Sequence, residues 1–515
     1  MNITQHLQRN ALHNPDCEST IFGDRVRNWG ETRERVARLA GALRSLGIAS
    51  GESVAILSLN SDRYLEYLFA VPWADAVVNP VNIRWSPGEI AYSLLDSHTS
   101  MLFVDDAFAP MLPALRAEVP GLRTVVHCGD GPTPEGMLDY ERLIAEHPPV
   151  DDARRSGEAL AGIFYTGGTT GHPKGVMLSH ANLVVSAMAA AAAGEFLEAD
   201  GRTLHAAPMF HLADLFTVLI RNILGGTHVI VPFFDPATVA QAIEKHQVTD
   251  TLLVPTMIQM LIDAPGVDDA DLRSLRRLIY GASPISDALL SRAAVALPGV
   301  RFTQAYGMTE LAPMATFLRP EEHADPVLRR SAGRAGPNVE VRIVDTDDNE
   351  VASGVVGEVV VRGGNVMLGY WNRPAETADA LRGGWMHTGD GGYMDERGYV
   401  FLVDRIKDMI VSGAENVYSA EVENALATHP AVAQCAVIGV PDPELGERVH
   451  AVVVLFPGAA ATHEELRAHC KTLIAGYKAP RTSEFVEAMP LSGAGKILKR
   501  ELRAKYWPAA GRGIG

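Results

Sequence analysis

The glycine-rich segment between residues 165 and 175 constrains this chain more than any other stretch. It reads Tyr-Thr-Gly-Gly-Thr-Thr-Gly-His-Pro-Lys-Gly, with strand-like apolar residues before it and a helical pattern after Ser179. Glycines let backbone N–H groups turn inward, threonines add hydroxyl donors, and Lys174 adds a positive charge. We interpret the segment as a phosphate-binding loop between a strand and a helix, where helix N-terminal amides strengthen an anion site.

The loop differs from the Walker A type of phosphate loop. That motif has glycine before its lysine and Ser or Thr after it, whereas Pro173 and Gly175 occupy those positions here. Kinase- or GTPase-type chemistry is therefore disfavoured.

The spacing of apolar residues predicts the fold class. Short buried strands alternate with helices from Val54 to Val254, which is typical of βαβ units and parallel sheets. Beyond Val339, polar and apolar residues alternate between Gly-rich turns, which indicates an antiparallel segment. We predict an α/β protein with a large N-terminal domain (1–404) of stacked, mostly parallel sheets with helices plus a small β-barrel-like subdomain. A hinge (405–408) and a small α+β C-terminal domain (409–515) follow.

Composition excludes several classes of protein. The 515 residues are 47% hydrophobic and 21% charged, as in folded proteins with more than one domain. The net charge of −17, without a basic cluster, argues against nucleic-acid binding. The four cysteines are far apart, so neither a disulfide framework nor a zinc site is expected. Because no signal-peptide-like or membrane-spanning stretch is evident, we expect a cytoplasmic protein without a transmembrane segment.

Further motifs follow the loop along the chain. They are YGMTE (306–310), TGD (388–390), DRIKD (404–408) and PLSGAGK (490–496). Together with the loop, they resemble the core motifs of the adenylate-forming superfamily, which comprises acyl-CoA synthetases, adenylation domains of nonribosomal peptide synthetases, and beetle luciferases. The resemblance implies that the small C-terminal domain is a mobile lid, which rotates between two half-reactions.

The resemblance also implies a nucleotide site. Attack of a carboxylate on the α-phosphate of ATP gathers negative charges, so cations and oriented donors are needed. Glu310 is implied as the ligand of Mg²⁺, Tyr306 as the ring that stacks on adenine, and Asp390 as the acceptor for both ribose hydroxyls. The implied ATP- and AMP-binding residues are Thr166, Gly167, Gly168, Thr169, Thr170, Gly171, Lys174, Gly281, Ala282, Ser283, Tyr306, Asp390 and Arg405.

Catalytic roles follow from the same resemblance. Lys496 is implied to bridge the acyl carboxylate and the α-phosphate during adenylation only, and Thr309 to donate to either group. His211 resembles the histidine that guards the acyl site, and Lys407 stands at the hinge position. The residues themselves leave two alternatives open: Lys496 as a solvated lysine in a basic tail, and His211 as a core histidine.

The acyl and CoA sites are implied in the same way. Rotation of the lid would bring Ser412, Gly413 and Ala414 to a pantetheine tunnel, where Ala414 replaces a frequent glycine. The implied acyl-pocket residues are mostly apolar and include no basic residue, which favours a fatty or aryl acid over a dicarboxylate or an amino acid. They are Phe210, His211, Tyr280, Ala305, Met308, Ala312 and Met314.

We predict an ATP-dependent carboxylic acid–CoA ligase that uses Mg²⁺ and forms acyl-CoA, AMP and pyrophosphate through an acyl-adenylate. A medium- or long-chain fatty acid is the expected substrate. Three alternatives stay open: an aryl-acid–CoA ligase, an acyl-AMP ligase that loads a carrier protein, and a non-catalytic protein that binds nucleotide or acyl-CoA. The short segment between Tyr306 and Thr388 disfavours the second, and the presence of Lys496, Glu310 and Asp390 disfavours the third. A homodimer is also left open.

Overall fold

The computed structural model describes residues 1–166, 173–267, 270–405, 408–412, 415–493 and 495–507. The helices are α1 (Gln5–His13), α2 (Trp29–Ser45), α3 (Asp62–Trp73), α4 (Pro87–Asp96), α5 (Leu112–Glu118), α6 (Tyr140–Glu146), α7 (His180–Ala193), α8 (Leu212–Leu224), α9 (Pro236–His246), α10 (Pro255–Asp263), α11 (Asp287–Ala296), α12 (Pro374–Ala380), α13 (Ser419–Ala427), α14 (His463–Leu473) and α15 (Lys499–Ala504).

The strands of the N-terminal part are β1 (Glu18–Phe22), β2 (Arg25–Asn28), β3 (Ser53–Leu57), β4 (Val77–Pro80), β5 (Met101–Val104), β6 (Thr124–His127), β7 (Leu138–Asp139), β8 (Leu160–Thr166), β9 (Lys174–Ser179), β10 (Arg202–His205), β11 (Thr227–Ile230), β12 (Asp250–Leu252), β13 (Arg277–Gly281), β14 (Arg301–Gly307), β15 (Met314–Leu318) and β16 (Arg334–Ala335). The later strands are β17 (Val339–Val344), β18 (Gly357–Gly363), β19 (Gly369–Tyr370), β20 (Met386–Met394), β21 (Val400–Arg405), β22 (Ile410–Ser412), β23 (Glu415–Val417), β24 (Val432–Asp442), β25 (Gly446–Leu455) and β26 (Thr482–Phe485).

Large, mostly parallel sheets form the N-terminal part, as the alternation of strands and helices predicted. One sheet has the strand order β16-β15-β14-β13-β12-β10-β11-β1-β2, and the other has the order β19-β9-β8-β4-β3-β5-β6-β7. The inner pairs of both sheets are parallel, such as β13 with β14 and β3 with β4. Antiparallel pairs lie toward the edges, such as β14 with β15 and β8 with β9.

The main core lies between these sheets. Helices α2, α3, α7 and α8 contribute to one large apolar cluster together with residues of both sheets. Every residue of α3 is buried, which is expected for a helix enclosed on all sides. A second cluster packs α9, α10 and α11 on the outer face of the first sheet, and a third packs α4 and α5 on the second sheet.

The later strands form separate, smaller sheets. Strands β17-β18-β20-β21 make an antiparallel sheet, which matches the predicted barrel-like subdomain. Strands β23-β22-β25-β24, with β26 beside β25, belong to the small C-terminal domain. Since β21 ends at Arg405 and β22 begins at Ile410, the chain changes sheets within the predicted hinge. The role of that segment as a pivot stays a prediction.

Several predicted residues lie outside the described part of the chain. They are Gly167, Gly168, Thr169, Thr170 and Gly171 of the phosphate loop, Lys407 of the hinge, and Gly413 and Ala414 of the CoA path. Over the described ranges, no helix combines the length and apolar character that a bilayer span requires.

Candidate active site

The phosphate loop connects two antiparallel strands. β8 ends at Thr166, β9 begins at Lys174, and these residues face each other in the register of the pair. The strand before the loop and the helix after Ser179 are confirmed, but the prediction that the loop leads directly into that helix is wrong, because β9 lies between them. Helix α7 begins only after β9, where the Ser179 side chain accepts a hydrogen bond from the backbone of Asn182. Strand β9, most of whose residues are buried, extends the sheet after the loop, so the amides of α7 do not follow the loop directly.

Lys174 and Glu310, from distant motifs, meet at one tyrosine. The Tyr370 hydroxyl donates to Glu310 Oε1 at 2.8 Å, and Lys174 Nζ lies 5.0 Å from the centre of the Tyr370 ring. Lys174 also forms an ion pair with Glu376. Pairing of β19 with β9 places Tyr370 beside the lysine. The implied phosphate ligand and the implied metal ligand are thus held in one polar cluster.

The implied adenine and ribose residues are also adjacent. Tyr306 lies in β14 and Asp390 in β20, and the Tyr306 hydroxyl donates to Asp390 Oδ2 at 2.8 Å. The Asp390 amide donates to Thr388 Oγ1 at 3.1 Å, and this hydroxyl donates to the Val359 carbonyl at 2.7 Å. Arg405 is the partner of Asp390 across the β20–β21 pair. The structure therefore brings together the side chains of Tyr306 and Asp390 and the backbone of Arg405.

The segment from Gly281 to Ser283 leaves the carboxyl end of β13. Gly281 pairs with Ala305, and a side chain on Gly281 would collide with the Ala305 carbonyl. Ala282 then adopts a left-handed φ of 65°, so the chain turns sharply at this edge. Carboxyl ends of parallel strands are where open α/β sheets bind ligands. The segment lies next to the β14 motif, and its role in binding nucleotide stays a prediction.

His211 of the N-terminal part is within electrostatic reach of Lys496 from the C-terminal part. His211 occupies the position before helix α8 and is partly buried, and its ring centre lies 5.3 Å from that of Phe210. Burial, followed by the positive charges of Lys496 and Arg84, lowers the His211 pKa to about 4. The His211 imidazole is therefore neutral at neutral pH, and the charge of the predicted catalytic lysine acts on this predicted acyl-site residue.

Most of the predicted acyl-pocket residues lie on one side of the first sheet. Phe210, Ala312 and Met314 belong to the main core, against which Ala305 and Met308 pack. Tyr280 lies elsewhere, in the cluster on the outer face of this sheet, and its hydroxyl is 2.9 Å from His323 Nε2. Because successive strand residues point to opposite faces, Tyr280 faces away from Gly281 and its partner Ala305. The assignment of Tyr280 to the predicted acyl pocket is therefore wrong.

The remaining predicted residues occupy defined positions. Thr309 begins a short 3₁₀ turn, Thr309–Leu311, which also holds Glu310. Ser412 is buried at the end of β22 and pairs with Gly446 of β25. Its role in binding CoA stays a prediction, because the adjacent Gly413 and Ala414 lie beyond the described ranges.

Comparison with known proteins assigns the family. A family model described as AMP-binding enzyme matches residues 7–371, and one described as AMP-binding enzyme C-terminal domain matches residues 421–496. This chain belongs to the AMP-binding enzyme family. As an AMP-binding enzyme of the adenylate-forming superfamily, it is an AMP-forming acid–thiol ligase.

Relatives of this AMP-binding enzyme cover nearly its whole length. It is 41% identical to a feruloyl-CoA synthase from Amycolatopsis sp., over 97% of this chain and 98% of the relative. It is 36% identical to the fatty acid–[acyl-carrier-protein] ligase ScoC from Streptomyces coeruleorubidus, over 99% of this chain and 98% of the relative. A crystal structure of the anthranilate CoA ligase AuaEII with anthranoyl-AMP matches with a TM-score of 0.91 and 27% identity, covering 98% of this chain and 97% of that one.

The sequence did not point to several residues that contact the predicted site residues or the chain next to them. Besides Tyr370 and Glu376, these include Asn60, which is buried just after β3. Asn60 Nδ2 donates to the Ala207 carbonyl at 2.8 Å, and Asn60 Oδ1 accepts from the Met209 amide at 2.8 Å. Asn60 therefore fixes the backbone of the segment that leads to Phe210 and His211 through hydrogen bonds. Asn60 follows the carboxyl end of a predicted strand, and this position could have indicated a residue near a ligand site.

Proposed function

We propose that this AMP-binding enzyme is an aryl-acid–CoA ligase, which activates an aromatic carboxylic acid as its adenylate and then transfers the acyl group to CoA. The observation that carries the proposal is the packing behind Ala305 in the predicted acyl site. Phe317 is the cross-strand partner of Ala305. Its ring packs 5.2 Å from that of Phe196, which packs 5.9 Å from that of Phe216.

These three rings are buried and fill the space between β15 and helix α8. A pocket closed by packed rings favours a short, flat acyl group over an extended chain, because close-packed cores hold few voids. The similarity to a feruloyl-CoA synthase over nearly the whole chain supports the same substrate class. The medium- or long-chain fatty acid expected from the sequence is thus the second candidate substrate.

Each half-reaction has residues suited to it. The proximity of Lys496 to neutral His211 supports adenylation, because a cation is needed where negative charge accumulates at the α-phosphate. Tyr306 and Asp390 would hold the nucleoside throughout, and Lys174 would exchange its Glu376 partner for phosphate. Ser412 would belong to the CoA path.

The residues present fit a magnesium ion. Mg²⁺ is usually bound through one or two carboxylates together with substrate phosphates and waters. Glu310 supplies a buried carboxylate, which the Tyr370 hydroxyl orients from one side. In the described part of the chain, no group of three or more His, Cys, Asp or Glu could hold a metal, which fits a site completed by phosphate. When bound, the ion would neutralise phosphate charge.

The direct test is a substrate panel. AMP release would be measured with CoA and with ferulate, cinnamate, benzoate, octanoate or palmitate as the acid. We expect the highest kcat/KM with an aromatic acid, by roughly tenfold or more over palmitate, since hydrophobic pockets discriminate by about 1–3 kcal/mol per misfitted group. A preference for palmitate would contradict the proposal.

A variant of the aromatic cluster makes the test sharper. Phe216→Ala should open space behind the pocket and raise the activity with octanoate relative to that with benzoate. Phe485→Ala is the matched control, because that ring is exposed on the C-terminal domain. An unchanged substrate ratio in Phe216→Ala would place the acyl group elsewhere.

A carrier-protein thiol is the second candidate acceptor, and the similarity to ScoC favours it. Thioester formation with CoA and with a phosphopantetheinylated carrier protein, measured from the same acyl-adenylate, would separate these acceptors. We expect transfer to CoA.

A further inference from the structure

The loop that carries Lys496 touches the N-terminal domain through backbone groups. Arg84 Nη1 donates to the Ser492 carbonyl at 3.0 Å, and Thr256 Oγ1 donates to the Gly495 carbonyl at 3.2 Å. Arg84 precedes α4 and Thr256 lies in α10, so the loop is held from separate elements. Because carbonyls are the acceptors, these contacts depend on the path of the loop and not on its side chains.

The glycines of this loop fit closely against the same residues. A Cβ on Gly493 would lie 2.8 Å from Asn82 Oδ1 and 2.9 Å from its Nδ2. Asn82 has little freedom to move away, because its Oδ1 accepts a hydrogen bond from the Arg84 amide at 3.0 Å. A Cβ on Gly495 would lie 3.1 Å from Thr256 Oγ1 and from Val254 Cγ2. Gly493 and Gly495 therefore allow the loop to pack closely against the N-terminal domain. Their role is not limited to conformational freedom.

The position of Ser492 determines that of Lys496. The Ser492 amide donates to the Lys496 carbonyl at 2.7 Å, and the Lys496 amide donates to Ser492 Oγ at 3.1 Å. Holding the Ser492 carbonyl through Arg84 thus also fixes the backbone of Lys496. The charges of Lys496 and Arg84 both lower the pKa of His211, a predicted acyl-site residue.

We propose that Asn82, Arg84 and Thr256 form a cradle that seats the Lys496 loop for adenylation, and that they are positioning residues for this half-reaction alone. The inference rests on the proposed two-step function. When the lid turns for acyl transfer, the loop leaves the cradle. A change that spoils the fit should therefore slow the first step and spare the second.

Gly493→Ala tests the cradle most directly. Gly493 has no left-handed φ, so alanine costs little backbone strain and acts through the contact with Asn82. ATP–pyrophosphate exchange would report adenylation, and thioester formation from supplied acyl-adenylate would report the second step. We expect exchange to fall roughly tenfold or more, since small misplacements of catalytic groups have effects of this order. The rate of thioester formation should stay within about twofold of wild type, because the loop has then left the cradle.

A second substitution should restore the fit. In Asn82→Ser/Gly493→Ala, the shorter side chain makes room for the new methyl group while its hydroxyl can still accept from the Arg84 amide. We expect this double variant to recover much of the lost exchange. Gly476→Ala is the matched control in the same domain, because its Cβ would meet only Lys471 Cε at 3.9 Å.

The outcomes separate the proposals. The proposed cradle would be contradicted if Gly493→Ala slowed both half-reactions equally or left exchange unchanged. It would also be contradicted if adding Asn82→Ser did not restore exchange. Absence of exchange in the wild-type enzyme with every acid tested would instead overturn the proposed function.

Discussion

The hydroxyl of Tyr306 donates a 2.8 Å hydrogen bond to the carboxylate of Asp390. The bond joins β14 of a mostly parallel sheet to β20 of the antiparallel sheet, so residues from separate motifs position each other. Since adenine and ribose are parts of one nucleoside, their proposed binding residues need a fixed separation. This hydrogen bond fixes the separation of Tyr306 and Asp390 through a direct contact between the two side chains.

Tyr306→Phe should raise the KM for ATP with little change in kcat. The ring remains for stacking, while Asp390 loses a donor worth about 1.5 kcal/mol, which corresponds to roughly tenfold in affinity. Measurement of ATP–pyrophosphate exchange at varied ATP would show the change. Tyr477→Phe is the control, because Tyr477 is exposed. An unchanged KM in Tyr306→Phe would count against the shared nucleoside site.

Lys496→Ala should abolish adenylation, while thioester formation from supplied acyl-adenylate persists. The cation is needed only while charge develops at the α-phosphate, and its loss should cost on the order of 10²–10³ in rate or more. Separate assays of the half-reactions would check this. Lys471→Ala, in exposed helical surroundings of the same domain, should leave both steps unchanged. Equal loss in both steps would contradict the role of Lys496.

His180→Gln should reduce the acid sensitivity of folding. His180 is buried at the start of α7, and its pKa is lowered to about 4 by burial and then by the positive charges of Arg155 and the N-terminal amine. Between pH 6.5 and about 4, the unfolded chain binds a proton that the folded chain does not. The free energy of unfolding therefore falls as the pH falls, by up to about 1.4 kcal/mol per pH unit from this residue.

Glutamine keeps an acceptor for the Ile3 amide, which bonds to His180 Nδ1 at 3.4 Å, but it does not titrate. Denaturant unfolding of both proteins at several pH values would give the two slopes. Identical slopes in wild type and His180→Gln would show that this histidine does not contribute to acid sensitivity.

Arg221→Met should destabilise the fold by about 3–5 kcal/mol, because it leaves a buried carboxylate without its partner. Arg221 Nη2 lies 2.7 Å from Asp250 Oδ2, and both side chains are fully buried. Burial raises the Asp250 pKa to about 6 even with Arg221 in place. Denaturant unfolding would measure the loss. Arg221→Met/Asp250→Leu should lose less stability than the single variant, and the opposite order would contradict this account.

Local spacing in the sequence was enough to predict much of this enzyme. The alternation of strands and helices predicted mostly parallel sheets, and the antiparallel character after Val339 was also confirmed. The order of the motifs predicted the family and the type of reaction. These features are encoded in residues a few positions apart, where periodicity and turn chemistry act directly.

Features that depend on which face of an element is covered were not predictable in the same way. β9 was missed because a short apolar run fits either a strand or the start of a helix, and only pairing with β8 and β19 decides between them. The prediction that Tyr280 belongs to the acyl pocket was wrong for a related reason. Strand alternation says that neighbours point apart, but it does not say which face meets the ligand.

Contacts between distant segments were decided by the tertiary structure alone. Sheet pairing placed Tyr370 between Lys174 and Glu310, and domain docking seated Gly493 against Asn82. The sequence by itself determined which groups can carry the chemistry, because residue type sets charge, hydrogen bonding and backbone freedom. Their mutual distances were determined only by packing, because the free energy that selects one arrangement comes from burial and hydrogen bonds summed over the whole chain.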